Sequence, residues 1–194
     1  ILNMTLTYGN IGDINWSSDS SAITSLWNTM PAATGDILKL TDLEQGMANL
    51  QRLPGSSAQM RILPGKNNAQ SDIDITRHLA KKWQVGAWLD DAGSRASGRY
   101  QTGVALYLYD LTTLNDILYF SAGRDIEFSQ HNDGNQNNSL YYSIPFGYWS
   151  LSLYGSQSEY NQWFQGKYST AEHKSKKRYT SATFSRLLSH TREQ

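Results

Sequence analysis

Asp90 and Asp91 stand side by side, and a carboxylate pair is the raw material of general acid–base chemistry. They close the alternating run WQVGAWLDD, and neighbouring residues of a strand point to opposite faces. Two carboxylates on opposite faces cannot act on one atom. His78, His131, His173 and His190 are scattered without metal-ligand spacing, and the chain has no cysteine. No G-x-S-x-G, H-E-x-x-H or P-loop pattern occurs. The segment QHNDGNQNN offers oxygen acceptors for a cation, but Asp133 is its only charge, and a polar loop is the stronger reading. The sequence thus predicts no catalytic residue, no metal, no cofactor and no enzyme.

The elements that carry these residues are strands. WQVGAWLDD, YQTGVALYLYDL, ILYFSAGRDIEF, LYYSIPF, YWSLSLYGSQSEY and RYTSATFSRLL are aromatic-rich and alternating. Their connectors also alternate. SRASGR, SQHNDGNQNNS and NQWFQGKYSTAEHKSKK are long and polar, whereas TLND and PFG are tight. Transmembrane barrels combine strands of about 9–11 residues with long loops at one end and short turns at the other. Six strands are fewer than the roughly eight a barrel needs to close, so the chain reads as part of a barrel and as an internal segment of something longer.

Bulk properties agree. The 194 residues hold 17 basic and 17 acidic side chains, and this balance points to no nucleic-acid partner. Mean hydropathy is −0.56, and no run approaches the roughly 18–20 apolar residues of a spanning helix. A barrel escapes that test because only alternate residues face lipid. In YWSLSLY, Trp149, Leu151 and Leu153 share one face and Ser150 and Ser152 the other. Tyr and Trp suit a membrane–water boundary, which makes Tyr100, Tyr107, Tyr109, Tyr119, Tyr141, Tyr142, Trp149 and Tyr160 girdle candidates, with sides unassigned. Val104, Leu106 and Leu108 oppose Ala105, Tyr107 and Tyr109, so that strand is bulky on both faces. Arg124 is expected to point inward or to lie near the outer rim, given the cost of about 2–4 kcal/mol for a cation on the lipid face at midplane. HKSKK is a basic cluster read either as solvated loop charge or as a contact for lipopolysaccharide.

Residues 1–80 read differently. Leu2, Met4, Leu6 and Tyr8 alternate as a strand. Ile23, Leu26, Trp27 and Met30 fall at helical spacing after a Ser20 or Ser21 cap. Thr41-Asp42-Leu43-Glu44 fits a capping box opening a helix with the stripe Leu43, Met47, Leu50, stopped by Pro54-Gly55. AQMRILPG and SDIDITRHL supply two strands, with Met60 and Ile62, then Ile73 and Ile75, on one face. The order is β-α-α-β-β, an α+β unit.

The stretch LTDLEQGMANLQRLPGSSAQMRILPGKNNAQSDIDI resembles the second POTRA domain of two-partner secretion transporters, the ShlB/FhaC-type haemolysin secretion and activation proteins. The resemblance rests on Leu40, Asp42, Leu43, Glu44, Gln45, Gly46, Leu50, Arg52, Leu53, Pro54, Pro64, Gly65, Ser71 and Asp72, and the later strands resemble that family's first barrel hairpins. It implies a periplasmic POTRA-like domain over 1–80 and the beginning of an outer-membrane β-barrel over 81–194, with a secreted exoprotein as partner and outer-membrane lipid and lipopolysaccharide as surroundings. It further implies that Gln59, Met60, Arg61, Ile62 and Leu63, flanked by the helix carrying Leu50, form an exposed edge that binds an incoming extended chain by β-augmentation. Two alternatives stay open on the sequence. One is a POTRA-bearing barrel that assembles other outer-membrane proteins; the other is a soluble aromatic-rich domain that binds carbohydrate.

Overall fold

The computed structural model describes residues 9–91, 100–126, 135–165 and 167–188. The elements are β1 (Asn10–Trp16), α1 (Leu26–Thr29), α2 (Leu40–Gln51), β2 (Ser56–Pro64) and β3 (Gln70–Leu79), then β4 (Trp83–Asp90), β5 (Tyr100–Tyr109), β6 (Ile117–Ile126), β7 (Gln136–Phe146), β8 (Trp149–Gln165) and β9 (Thr170–Arg186). They make two sheets. One is three-stranded in the order β1-β3-β2, and the other is a six-stranded meander from β4 to β9.

In the first sheet β1 runs parallel to β3, and β2 pairs antiparallel along the other side of β3. Alternation on β3 puts Ile73, Ile75 and Arg77 on one face, and all three are fully buried. The helices cover that face. Leu43 and Leu50 of α2 join Ile11, Ile73 and Ile75 in a closed core, with Met47 and Met60 packed at its margin. Gly46 allows α2 to lie directly on Met30, since any Cβ there would collide with the Met30 sulfur.

Several sequence expectations are corrected here. The strand expected over Leu2–Tyr8 lies outside the described residues; the observed β1 spans Asn10–Trp16. The first helix shrinks to one turn. The amides of Ser21 and Ala22 donate to the Arg77 carbonyl and that of Ser25 to the Thr113 carbonyl, which holds the preceding chain extended and leaves Ile23 and Trp27 exposed. The capping box does not form. Lys39 occupies the cap position of α2 without a side-chain bond, and Thr41 falls inside the first turn.

The second sheet contains all six expected strands, two of them longer than anticipated. NQWFQGKYSTAEHKSKK is not a long loop. β8 and β9 pair continuously from Trp149↔Arg186 to Gln165↔Thr170, and each has 17 residues. Polar residues are no obstacle there, because the antiparallel ladder is made by backbone hydrogen bonds whatever the side chains. HKSKK is accordingly strand, and so are Gln136 to Ser139 of the second expected loop. SRASGR and SQHND fall mainly outside the described residues. The tight connections are confirmed: β5 to β6 turns through Asp110–Asp116 and β7 to β8 through Gly147–Tyr148.

Candidate functional site

The first candidate is the edge strand. β2 has β3 on one side only, so Gln59, Met60, Arg61, Ile62 and Leu63 lie at a sheet edge. Ala58, Met60 and Ile62 point toward α2, and their burial falls along the strand from 8% exposed at Ala58 to 47% at Ile62. The groove therefore opens at the end of β2. Leu50 cannot line it. It is fully buried in the core, and its assignment as a contact for an incoming chain is withdrawn. A turn of Arg52 to Gly55 joins α2 to β2, while the chain entering α2 lies along β1 at the other side of the sheet, where the Leu38 amide donates to the Gly9 carbonyl.

The second candidate is the pair of faces of the large sheet. The registers align Gln84, Tyr107, Tyr119, Tyr141, Tyr154 and Ser181 across all six strands. Alternation then assigns Gln101, Tyr109, Ser121, Asp125, Asn137, Ser139, Ser143, Ser152 and Ser156 to this polar face. Tyr107 packs against Tyr119 at 4.7 Å and against Tyr109 at 6.3 Å, and the Tyr109 hydroxyl donates to Gln84. Trp88 covers Gly103, where any side chain would strike the indole. The opposite face carries Val85, Val104, Leu106, Phe120, Leu140, Leu153 and Phe184, all substantially exposed. Five girdle candidates are thereby corrected: Tyr107, Tyr109, Tyr119, Tyr141 and Tyr160 stand on the polar face. Only Tyr100, Tyr142 and Trp149 stand on the apolar one. Arg124 also lies on the apolar side, but beyond the apolar band, in register with Thr102 and Gln136, which agrees with a position near the rim.

The third candidate was not visible in the sequence. It is a polar joint between the two sheets. Arg77 leaves the buried face of β3 and meets Asp110 at 3.2 Å and Asn115 Oδ1 at 2.6 Å, with neither partner of the ion pair significantly exposed. Thr24 donates to Asp110 and to the Thr113 carbonyl, which it reaches at 2.8 Å. Asp110, Thr113 and Asn115 all have positive φ, so the β5–β6 turn is a contorted one held by these contacts. Asn28 donates to the Leu114 and Pro145 carbonyls, joining both tight turns.

One side of α2 belongs to this joint. The Tyr148 hydroxyl donates to Asp42 at 2.5 Å, Asn49 donates to the Gly147 carbonyl at 2.8 Å, and Arg52 donates to the Ser143 carbonyl at 2.9 Å and to Asn115. Gln45 reaches the Gly147 carbonyl as well. Asp42, Gln45, Asn49 and Arg52 follow helical spacing, on the opposite side from Leu43 and Leu50. Burial of the Arg52 guanidinium lowers its pKa, with nearby Tyr141 and Asp116 partly offsetting the shift. Among the described residues no group of His, Cys, Asp or Glu could hold a metal ion.

Known proteins resemble this chain in sequence and in fold. The family described as haemolysin secretion/activation protein ShlB/FhaC/HecB matches residues 69–194, and a POTRA domain matches residues 10–64. The outer membrane transporter CdiB-2 of Burkholderia pseudomallei is 33% identical over 162 residues, 83% of this chain and 27% of that protein. The hemolysin transporter protein ShlB of Serratia marcescens is 32% identical over 130 residues, 67% of this chain and 23% of that protein. The solved structure of CdiB from Escherichia coli superposes with a TM-score of 0.79 at 25% identity, covering 94% of this chain and 34% of that one. The chain thus spans about a quarter of the length of the curated relatives it matches.

Proposed function

Since the chain belongs to the ShlB/FhaC/HecB family of haemolysin secretion/activation proteins, we propose that it forms the junction of a two-partner secretion transporter in the bacterial outer membrane. Residues 1–80 would be the periplasmic POTRA unit and residues 81–194 the first strands of the barrel. The apolar face of the large sheet meets lipid, and the polar face with its tyrosine row lines the lumen. The partner is an unfolded exoprotein. It adds to the free edge at Gln59, Met60, Arg61, Ile62 and Leu63 through main-chain hydrogen bonds, with the half-exposed Ile62 offering an apolar contact.

The observation that carries this reading is the six-strand register, which separates an apolar face from a polar one and joins that sheet to an edge-bearing α+β unit. Lys174, Lys176 and Arg178 share the apolar side of β9 beyond the apolar band, opposite Asn161, Glu159 and Gln157. Lipopolysaccharide phosphates at the outer leaflet suit that strip.

The test is a photo-crosslinking residue at position 61 of the complete transporter during secretion of its cognate exoprotein. The expected product is a crosslink to the exoprotein, with none from Asp74, its neighbour on the interior strand β3. Crosslinks of equal yield at both positions, or at neither, would discard the edge as the recruiting surface.

A further inference from the structure

Trp27 is 71% exposed, although Asn28 and Thr29 beside it are buried. Its ring is not isolated. It lies 5.8 Å from Phe146, the last residue of β7, and Phe146 is the register partner of Trp149. Trp149 in turn stacks on Phe184 at 4.5 Å, and the Arg186 guanidinium sits 5.3 Å from the Trp149 ring. Phe146, Trp149 and Phe184 all belong to the apolar face, at the end of the sheet nearest the α+β unit. A row of four aromatic rings therefore starts on β9, passes over β8 and β7 and ends on a residue of the other region. A cleft of about 680 Å³ opens beside it, lined by Leu26, Met30 and Pro31 as well as by Trp27, Phe146 and Trp149.

Aromatic rings with an arginine are the chemistry of a membrane–water interface, where the ring body is apolar and its surroundings are wet. We infer that Trp27 is an interfacial anchor by which the periplasmic unit itself inserts into the inner-leaflet phospholipid of the outer membrane. The occupant is lipid because the ring continues a surface that already meets lipid; this step rests on the proposed lipid-facing role of the apolar sheet face. The polar joint would set the height of Trp27 relative to the barrel. The periplasmic unit would then be held at the membrane by protein contacts on one flank and by lipid on the other.

The experiment uses the complete transporter in phosphatidylcholine vesicles, with a single cysteine carrying an environment-sensitive fluorophore at position 27, 23, 59 or 104. This chain contributes no cysteine of its own. Phospholipids brominated about 5–10 Å below the headgroup report insertion, and aqueous iodide reports exposure. The label at 27 is expected to be quenched by bromolipid to within about twofold of the label at 104 on the apolar sheet face, while that at 59 responds only to iodide. The label at 23 keeps Trp27 in place and guards against loss of the anchor by its own replacement. Iodide quenching without bromolipid quenching at both 27 and 23, with 104 still quenched by bromolipid, overturns the anchor and leaves the barrel reading intact. Failure of bromolipid at 104 overturns the lipid-facing sheet, and the anchor with it.

Discussion

Ile73 on β3 and Leu106 on β5 hold the same kind of position, an apolar residue in the middle of an alternating strand. They end at opposite extremes: Ile73 has no exposed surface and Leu106 is 37% exposed. The difference extends to the two regions. In the α+β unit, alternation turns apolar residues inward beneath α2, and Ile11, Leu43, Leu50 and Ile75 close the core. In the large sheet no described element covers the apolar face, and the buried hydrophobic residues Ala105 and Tyr109 stand on the polar one. Period-two patterning says that two faces differ; it does not say which of them meets protein. The covering element decides that. Between the regions lies a joint made of neither kind of surface, in which side-chain amides, hydroxyls and one buried ion pair grip the two tight turns.

The largest expected effect comes from breaking this joint. Arg77→Met leaves Asp110 buried without its counter-ion, and removing one partner of a buried pair costs about 3–5 kcal/mol. In the complete protein the variant should become sensitive to protease near Lys81-Lys82, between the two regions, while the barrel keeps its heat-modifiable mobility on a semi-native gel. Adding Asp110→Asn should recover much of the loss, because the uncompensated charge is then gone. A variant as resistant as the parent would mean that the two regions are held together by something other than this polar seam.

The contrast between the two faces of the large sheet is sharpened by neighbouring residues on β8. Leu153 lies on the apolar face and Ser152 on the polar one. Leu153→Arg should cost about 2–4 kcal/mol in urea unfolding from lipid vesicles. Ser152→Arg gives up only a hydroxyl contact with Tyr141, a net loss of about 0.5–1.5 kcal/mol. Equal costs would remove the distinction between the faces.

Much of this arrangement was legible in the residues, for reasons that also mark the limits. All six strands were visible because LYLY, WSLSLY and their neighbours alternate locally. The sides of Tyr107 and Tyr109 were not. Their strand is bulky on both faces, and only the registers to Tyr119 and Tyr141 settle the matter. The long β8–β9 hairpin was misread because NQWFQGKYSTAEHKSKK is mostly polar in composition and carries no sustained alternation, which looks like a loop. The joint was hidden for another reason. Asn28, Asn49, Arg52 and Arg77 are ordinary polar residues in the sequence, and their partners lie in turns tens of residues away. The motif carried by Asp42, Gln45 and Arg52 was seen as a helix signature. Its polar members instead hold the turns of the other region.

The smallest effect tests whether the second turn adds to the joint on its own account. Tyr148 donates to Asp42, and its phenol pKa is raised above the ordinary 10.0, first by burial and then by that hydrogen bond. A group whose pKa is higher in the folded state than in the unfolded one contributes stability that is fully present below the unfolded value. That contribution is lost as pH rises through the folded value. Urea midpoints of the periplasmic unit, measured in the complete protein at about pH 9 and about pH 11, should fall further in the parent than in Tyr148→Phe. Lysine and other tyrosine titrations are common to both proteins and cancel in the comparison. Equal falls would assign the β7–β8 turn to Asn28, Gln45 and Asn49, whose amides carry no charge in this range. The joint would then be insensitive to alkaline pH on that side, with the Arg77–Asp110 pair as the ion pair at the first turn.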